Sequence, residues 1–589
     1  MISQTGLCLT RLGGTTIITL ERANTAPFRA ASRDHNSCSD PGINHFDVII
    51  IGAGINGAGI ARDASMRGLK VLLLDKGDIS SGTSSWSTRL IHGGLRYLEH
   101  GEIGLVRESL RERETLLHIA PHLVRALPML VPIYKESRRG KITIQAGMWI
   151  YDLLSSDKSL PRYRMLSRVE TLEKLPGLNP DGLTGAALYY DAQVEFAERL
   201  VLENVLAAKE KGAIVITHAK ASEFVFEEHQ LKGVRYVVEH TGKLTTAYGR
   251  VVINAAGPWV DRLLELAGPT NQPLIGGTKG SHIVVPAFTG APTTAIYVEA
   301  QTDHRPFFII PWNGNFLIGT TDIRFEGDLD EVRSDTGEID YLLAETNRVF
   351  PCARFTRDQI LYTYSGVRPL PFVGDKGEPG ITRRHFIREH PRINNLLSIV
   401  GGKLTTYRSL AEECVNSIFS KLGRQPPACI TAEVPLPGGA KLSSLVEDFN
   451  HSSLFSAPVN SRLVRIYGSR AIEIARLCKD NVDLNTTFNR GEDALAAEVV
   501  FAFESEMAQT LVDCLLRRTM LGLNSDLAVG DDERAAAVGQ RFLGWSDEQA
   551  KNEVAAYRTI VQKFHPIVGG SPPKKPVAGF PLTSGGAGQ

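Results

Sequence analysis

Short apolar runs, separated by glycine and polar residues, recur along the chain from residue 45 to about residue 424. The run Asp47–Ile51, apolar after its first residue, is typical of a strand buried on both faces of a parallel sheet. A helical stretch as far as Gly68 and a second apolar run, Val71–Leu74, follow it. Alternating strands and helices of this kind predict an α/β fold.

The pattern changes after residues 425–441, whose sequence QPPACITAEVPLPGGAK is punctuated by proline and glycine in the manner of a linker. Beyond it, the segments Ser461–Leu477 and Glu492–Leu523 have few glycines and carry apolar residues at helical spacing. We therefore predict a smaller α-helical domain over residues 442–564. Residues 1–44 are polar and unpatterned, so a flexible extension is expected, with a targeting segment as the alternative. Residues 565–589 are rich in proline and glycine, so a disordered tail is expected.

The amino-acid composition argues against several classes of protein. Lysine plus arginine and aspartate plus glutamate number 65 each, which argues against a nucleic-acid binder with a broad basic face and leaves room for a local basic pocket. The seven cysteines are scattered without a CxxC pair, so neither a metal site nor a disulfide framework is predicted. No run of about 18 apolar residues occurs, so no transmembrane helix is predicted.

The turn after the first strand reads GAGING, the GxGxxG pattern of dinucleotide sites. Gly52 permits a tight turn, Gly54 lets the backbone approach a pyrophosphate, and Gly57 lets the following helix pack closely on the strand. The N-terminus of that helix presents free N–H groups to the phosphates. Asp75 ends the second strand, where its carboxylate accepts hydrogen bonds from a ribose diol and disfavours the 2′-phosphate of NADP.

Three further segments favour FAD over NAD. Ser80–Glu102 is rich in serine, threonine and glycine, as is typical of a chain that lies along a long cofactor. Val251–Trp259 is an apolar strand that ends in small residues. In Ile399–Val415 a strand meets two glycines and a helix is predicted to begin around Thr405, with its N-terminus facing the flavin pyrimidine.

In these segments and several others, the chain from about His45 to Leu523 resembles the FAD-dependent, quinone-reducing glycerol-3-phosphate dehydrogenases. The motifs that carry the resemblance are IGAGINGAGIARDA, RLIHGGLRYLEHGE, INAAGPWVD, KGSHIVVP, FFIIPWNGNFLIGTTD, YSGVRPL, GGKLTTYRSLAE and LLRRTMLGL. The resemblance implies a Rossmann-like, glutathione-reductase-like FAD domain with an interleaved substrate domain on a mixed sheet, together residues 45–424, and a C-terminal α-helical domain.

The resemblance also implies a reaction. sn-Glycerol 3-phosphate is oxidised at C2 to dihydroxyacetone phosphate, FAD takes the hydride, and a membrane quinone takes the electrons. No attachment motif is recognised in the sequence, so non-covalent FAD is expected. It further implies peripheral contact with a bacterial cytoplasmic membrane or the mitochondrial inner membrane, and it is compatible with a homodimer. The alternatives are an FAD-dependent oxidase that uses O2 on glycerol 3-phosphate or an amine, and a flavin-bearing assembly protein without a substrate.

By resemblance, the substrate phosphate is assigned to Arg96 and Tyr97 of GGLRYLE and to Lys403 and Thr405 of GGKLTTY. Arg368 of SGVRPL is placed nearest the reacting carbon, as a substrate-binding and catalytic residue. Arginine offers a planar fork to a phosphate dianion and lysine offers a point charge, so these residue types suit the ligand.

Removal of a hydride from C2 requires a base for the hydroxyl proton, and histidine has a suitable pKa. His282 of KGSHIVVP is the first candidate. His92 of LIHGG is the second, with the alternative that it only hydrogen-bonds the cofactor loop. The predicted cofactor-binding residues are Gly52, Gly54, Gly57, Asp75, Thr83, Ser84, Ser85, His92, Gly93, Gly257, Gly402, Leu404 and Thr405.

The segment Met129–Leu154 mixes basic and apolar residues. They are Lys135, Arg138, Arg139, Lys141, Ile142, Ile144, Met148, Trp149 and Ile150. Such a mixture suits an amphipathic element lying in a membrane interface. The alternative, which sequence leaves equally open, is a helix of the substrate domain packed on its sheet.

Overall fold

The computed structural model describes residues 11–12, 15–16, 45–156, 158–269, 272–374, 381–451, 454–487 and 494–566. The chain forms two units, Met1–Ile43 and Asn44–Gln589. In the first unit, strand β1 (Arg11–Leu12) pairs antiparallel with β2 (Thr15–Thr16). The remainder of the predicted N-terminal extension, and all but the start of the predicted tail, lie outside the described residues.

A parallel sheet carries the glycine-rich turn. Its strands follow the order β9 (Ile214–Ile216), β4 (Val71–Leu74), β3 (His45–Ile51), β12 (Lys243–Asn254) and β20 (Ile393–Val400), and neighbours in this order are parallel. Every side chain of β4 is buried, as expected for a strand covered on both faces. The carboxyl ends of these strands therefore meet at one edge of the sheet.

Antiparallel strands extend this sheet, and helices cover it. Strands β10 (Ala219–Glu227) and β11 (Gln230–Val238) form a meander with the first half of β12, and β19 (Phe386–His390) pairs with β20. Helices α1 (Ile55–Met66), α6 (Ala197–Glu210) and α9 (Tyr407–Leu422) bury their apolar faces in one core with the parallel strands.

A second, mixed sheet is built from chain segments that lie between those of the first. In it, β14 (Ala295–Glu299) and β6 (Val124–Tyr134) are parallel, and the remaining described pairs are antiparallel. Its strands are β5 (Leu90–Ile91), β6 (Val124–Tyr134), β7 (Arg164–Ser167), β8 (Leu183–Val194), β13 (Thr278–Val285), β14 (Ala295–Glu299), β15 (Pro306–Trp312), β16 (Asn315–Gly319), β17 (Ile323–Arg324) and β18 (Tyr362–Arg368). The predicted α/β fold with an interleaved mixed sheet is confirmed.

The helices between these strands are α2 (Arg96–Glu99), α3 (Ile103–Ile119), α4 (Lys141–Leu154), α5 (Arg168–Lys174), α7 (Val260–Leu264) and α8 (Thr336–Val349). No helix within the described ranges is both long enough and apolar enough to cross a membrane.

The C-terminal part is helical, as predicted. Its helices are α10 (Leu442–His451), α11 (Ala457–Tyr467), α12 (Ala471–Asp480), α13 (Ala496–Glu504), α14 (Leu511–Arg517), α15 (Asp531–Phe542) and α16 (Asp547–Val561). The helical stretch predicted over residues 461–477 is interrupted at Gly468, which has φ +57°. A Cβ atom there would lie 2.0 Å from the carbonyl oxygen of Gly438, so the break lets the proline- and glycine-rich segment pass close to the helices.

Candidate functional site

A cavity of about 1470 Å³ lies at the carboxyl ends of the parallel strands, between the two sheets. Gly52 follows β3, Asp75 follows β4 and Gly402 follows β20, and all three line it. The mixed sheet contributes His282 of β13 and Arg368 of β18. Open α/β sheets bind ligands beyond the carboxyl ends of their strands, so this cavity is the candidate active site.

The glycine-rich turn is shaped for close contact with a ligand. Gly52 has φ +112°, and a Cβ atom on it would lie 2.5 Å from a neighbouring carbonyl oxygen. Gly54 precedes α1, and the first N–H of that helix donates to Ser84 Oγ at 3.0 Å. A Cβ atom on Gly57 would lie 1.8 Å from the carbonyl oxygen of Gly52. The close packing expected of a dinucleotide turn is therefore possible only with glycine at positions 52 and 57.

Asp75 ties the end of β4 to this turn. Its Oδ2 accepts from the Ala53 N–H at 2.6 Å and its Oδ1 from the Gly77 N–H at 2.8 Å. Burial raises the pKa of the Asp75 carboxyl, and these two bonds oppose the rise. Each oxygen keeps a further lone pair, so a ribose hydroxyl in the cavity has an acceptor here.

Five buried polar atoms of cavity-lining side chains have no hydrogen-bond partner among the residues that the structure describes. They are Asn56 Oδ1, Arg89 Nε, Trp259 Nε1, His282 Nδ1 and Arg383 Nη1. Leaving such a group unpaired costs about 1–3 kcal/mol. Because these residues extend from the glycine-rich turn to the mixed sheet, the walls fit one long polar cofactor together with a small anionic substrate.

Most of the predicted cofactor-binding residues line the cavity. They are Gly52, Gly54, Asp75, Thr83, Ser84, His92, Gly257, Gly402, Leu404 and Thr405. Gly57, Ser85 and Gly93 instead lie behind its wall. Gly57 packs α1 on the turn, Ser85 Oγ donates to the Ser80 carbonyl at 2.5 Å, and the Gly93 N–H donates to Tyr151 Oη at 2.9 Å. These three support the wall rather than form it.

Cationic side chains gather at the mixed-sheet end. Arg96 opens α2, lines the cavity, and has no ion pair with a carboxylate in the described part of the chain. Arg368 donates to Asp322 Oδ1 and to Thr320 Oγ1, each at 3.0 Å. Burial lowers the pKa of Arg368 to about 10, although Asp322 opposes that shift. Arg383 donates to the second oxygen of Asp322 at 2.9 Å.

Arg383 is absent from the sequence prediction. It lines the same cavity, and its Nη1 is one of the atoms without a partner. Burial raises the pKa of the Tyr97 phenol, while Arg383, Arg368 and Arg96 oppose that rise. The three guanidinium groups therefore act on one aromatic side chain, and together they form a cationic end of the cavity.

Lys403 lies beside this group. Its Nζ is 4.7 Å from the centroid of the Tyr97 ring, 2.9 Å from Ser109 Oγ, and 3.3 and 3.4 Å from the carbonyl oxygens of His92 and Gly93. Burial lowers the pKa of Lys403 to about 7, so its charge is lost as the pH rises through neutrality. Lys403 thus holds the His92–Gly93 turn, and it also lines the cavity.

The first candidate base, His282, is buried in β13. Its Nε2 lies 2.9 Å from Thr88 Oγ1, and its ring centroid is 4.9 Å from that of Tyr364. Burial, and then the charges of Arg368 and Arg89, hold the pKa of His282 well below its usual range. The imidazole is therefore neutral at pH 7 and carries a lone pair for a proton, and the lowered pKa makes it a weaker base than a free histidine.

The second candidate base, His92, makes contacts that stabilise the wall of the cavity. Its backbone N–H donates to Thr405 Oγ1 at 3.2 Å, and its ring meets that of Phe308 edge to face. Burial, and then the charges of Lys403 and Arg113, lower the pKa of His92 to about 3. Thr405, predicted to bind substrate, is thereby occupied with the backbone of this turn.

One cluster has the composition of a metal site. Asp78, His218 and Asp513 place a ligand atom each within 4.8 Å of one another. Arg517 and Arg518 bind the Asp78 carboxylate, and Arg517 also bonds Asp513. Because these guanidinium groups already neutralise the two carboxylates, the cluster is an ion-pair network.

Comparisons with known proteins agree with this geometry. Residues 47–408 match the FAD dependent oxidoreductase family, and residues 429–550 match the C-terminal domain of alpha-glycerophosphate oxidase. The chain is 45% identical over 543 residues to a glycerol-3-phosphate dehydrogenase of Synechocystis sp., covering 88% of this chain and 96% of that protein. It is 38% identical over 517 residues to a D-erythritol 1-phosphate dehydrogenase of Brucella abortus, covering 85% and 97%.

A solved structure gives the same result. The fold superposes with a TM-score of 0.73 on the glycerol-3-phosphate dehydrogenase from Bacillus halodurans complexed with FAD. The two chains are 29% identical, and the alignment covers 90% of this chain and 97% of the other.

Proposed function

The chain belongs to the family of FAD-dependent glycerol-3-phosphate dehydrogenases, and from this premise we propose that it oxidises sn-glycerol 3-phosphate to dihydroxyacetone phosphate and passes the electrons to a membrane quinone. The observation that supports this substrate is the cationic end of the cavity, which Arg96, Arg368 and Arg383 form. A phosphate monoester carries close to two negative charges at neutral pH. Guanidinium forks match its oxygens, so this end of the cavity suits the phosphate.

The remaining walls suit non-covalent FAD. Gly52, Gly54 and the N-terminus of α1 would hold the pyrophosphate, and Asp75 would hold the adenosine ribose. The turn Gly402–Thr405, which runs into α9, would face the flavin ring. Bound FAD supplies a centre that accepts a hydride.

The chain's own residues then have two tasks at the substrate. The arginines fix the phosphate, so that the C2 carbon is held in one place. As the C2 hydrogen leaves with its electron pair, the hydroxyl proton is taken by the neutral imidazole of His282, whose Nε2 lies 2.9 Å from Thr88 Oγ1 and whose Nδ1 has no hydrogen-bond partner among the described residues. Arg368 lies close enough to His282 to lower its pKa, and we expect its guanidinium to polarise the same hydroxyl. Loss of the proton and the hydride converts the C–OH group to a ketone.

The first prediction tests the substrate directly. Under anaerobic conditions, glycerol 3-phosphate is expected to bleach the flavin of the purified holoprotein within the time of mixing. Glycerol, which lacks the phosphate, is expected to do so far more slowly, because it forgoes the arginine contacts. Absorbance in a stopped-flow instrument measures both, and a flavin that stays oxidised with glycerol 3-phosphate contradicts the proposal.

Two additions to this experiment test the identity of the substrate and of the electron acceptor. D-Erythritol 1-phosphate is added in place of glycerol 3-phosphate, since a relative that is 38% identical bears its name; faster bleaching by it would reassign the substrate. Turnover is then followed with a soluble quinone in air. Stoichiometric peroxide without quinone reduction would assign the chain as an oxidase instead.

Membrane contact is the remaining part of the proposal, and α4 supports it. Ile142, Trp149 and Leu153 are 84%, 60% and 58% exposed, and Ile150 is also exposed. Met148 and Tyr151 of the same helix face the core. The helix therefore has one face that packs on the core and an opposite, exposed apolar face. Each of the two interpretations of this segment concerns one of these faces. An exposed apolar face flanked by basic residues is typical of a peripheral membrane helix.

The structure changes the set of residues assigned to this contact. Ile144 is partly buried against the core, and Met148 is fully buried. Arg139 forms ion pairs with Glu99 and Glu299. The exposed basic residues are Lys135, Arg138 and Lys141.

The second prediction concerns this face. The double variant Ile142→Glu/Trp149→Glu is expected to lose about tenfold or more of its binding to vesicles of mixed zwitterionic and anionic phospholipid, because it places two charges in the apolar face. Flotation through a density gradient measures the bound fraction. The matched control is Val482→Glu/Val529→Glu, which charges two exposed apolar residues of the C-terminal domain. Equal flotation of the two double variants would remove α4 from the membrane model.

A further inference from the structure

Helices of the C-terminal domain form part of the cavity wall. From α14, Val512, Leu516 and Arg517 line the cavity, and from α16, Ala556 and Ile560 do so. None of these residues belongs to a dinucleotide-binding motif. The domain therefore reaches the site through tertiary packing, and its contacts there include ion pairs to the turn that follows β4.

The strongest of these contacts is made to Asp78, three residues after Asp75. The Asp78 carboxylate is fully buried. It accepts from Arg517 Nε at 2.6 Å and from Arg518 Nη1 and Nη2 at 2.8 and 2.7 Å. A buried carboxylate is retained only with partners of this kind. Two successive arginines of the C-terminal domain thus fix one residue of the ribose-binding turn.

A second contact holds the neighbouring turn between β9 and β10. His218 lines the cavity, and its Nε2 is hydrogen-bonded to Asp513 Oδ2 at 3.0 Å. The backbone N–H of His218 donates to the Gly77 carbonyl at 2.8 Å. Asp513 Oδ1 also accepts from Arg517 Nη2 at 2.7 Å. Both turns at the Asp75 end of the cavity are therefore connected to α14 by one network.

We propose that the C-terminal domain is part of the FAD site. Arg517 and Arg518 hold the Asp75–Asp78 turn in the conformation that receives the adenosine ribose, and α14 and α16 close this end of the cavity. Because Asp75 Oδ1 accepts from the Gly77 N–H within the same turn, fixing Asp78 also fixes the carboxylate that would bind the ribose. A preorganised turn lowers the entropy lost on binding, so the cofactor is retained more tightly.

The two domains are also joined away from the cavity. Arg199 of α6 pairs with Glu506 at 2.6 Å, and both side chains are fully buried. Neither residue lines the cavity. A change at Arg517 is therefore expected to loosen the turn without detaching the domain.

The experiment compares two lysine substitutions. Arg517→Lys keeps the charge and removes the fork that joins Asp78 to Asp513. It is expected to release FAD about tenfold faster than the unaltered holoprotein. Arg558→Lys is the control, because Arg558 bonds Asp532 and Glu533 within the C-terminal domain and lies outside the cavity wall. Release is followed by the rise of flavin fluorescence on dilution, with no substrate present.

A second variant tests the role of the C-terminal domain in FAD binding if Arg517→Lys does not fold. Ile560→Ala shortens a side chain of the wall on α16 and leaves the ion pairs intact, and it too is expected to accelerate FAD release. Release at the rate of the unaltered protein from the folded variants would overturn the proposal. Since no substrate is used, this outcome is independent of flavin bleaching by glycerol 3-phosphate.

Discussion

Replacement of Arg96 by alanine is expected to raise the KM for glycerol 3-phosphate about 100-fold, with a much smaller change in kcat. Removing one partner of a desolvated charge pair costs about 2–5 kcal/mol, and each 1.4 kcal/mol is tenfold in affinity. Arg96 has no carboxylate partner in the part of the chain that the structure describes. Its loss therefore leaves no unpaired acid behind, and the change in KM reports on the substrate phosphate alone.

Two comparisons make this result specific. Arg107→Ala, on the exposed face of the neighbouring helix α3, is expected to leave KM unchanged. Turnover of glycerol, slow as it is, should be the same in Arg96→Ala and in the unaltered enzyme. An unchanged KM for glycerol 3-phosphate in Arg96→Ala would show that the phosphate binds elsewhere.

Arg368 would give a less direct test. Asp322 lies between Arg368 and Arg383, with one oxygen bonded to each. Truncating Arg368 leaves that carboxylate half-paired in a buried place, so lost activity would combine substrate effects with local rearrangement. Truncating Arg383 would likewise leave Asp322 with one of its two arginine partners.

The sequence identified the part of the site that depends on local structure. The strand, the GxGxxG turn and the helix α1 are contiguous, and each glycine has a steric role that the residue type itself reveals. Strand β4 and Asp75 follow within one βαβ unit. The predicted family and FAD cofactor are confirmed by the family matches and by the FAD-bound relative.

What the sequence could not show depends on residues brought together from distant segments. Arg383 sits in TRRH, a sequence equally typical of an exposed ion pair, and its role emerges only where it meets Asp322 and Arg368. Arg517 and Arg518 lie about 440 residues after Asp78. Helical periodicity likewise marked α4 as amphipathic without showing that Ile144 faces the core.

The replacement of His282 by glutamine is expected to lower kcat by about 10²–10⁴-fold, the usual contribution of a general base. The amide can still hydrogen-bond Thr88 Oγ1, which lies 2.9 Å from the imidazole, but it cannot accept a proton. FAD content and the KM for glycerol 3-phosphate should change little. Because burial, Arg368 and Arg89 hold the pKa of His282 far below 6.5, the base form persists as the pH falls from about 7.5 to about 6, and kcat should stay level.

His92→Gln is the matched control for this base. His92 is also neutral at pH 7, since its pKa is lowered to about 3, so protonation state alone does not separate the two histidines. The two histidines differ in their contacts. The backbone of His92 hydrogen-bonds Lys403 and Thr405, while Nε2 of His282 lies beside a hydroxyl of the cavity wall. Single-turnover flavin reduction in both variants measures the difference. A large loss in His92→Gln with His282→Gln nearly unaffected would transfer the role of base to His92.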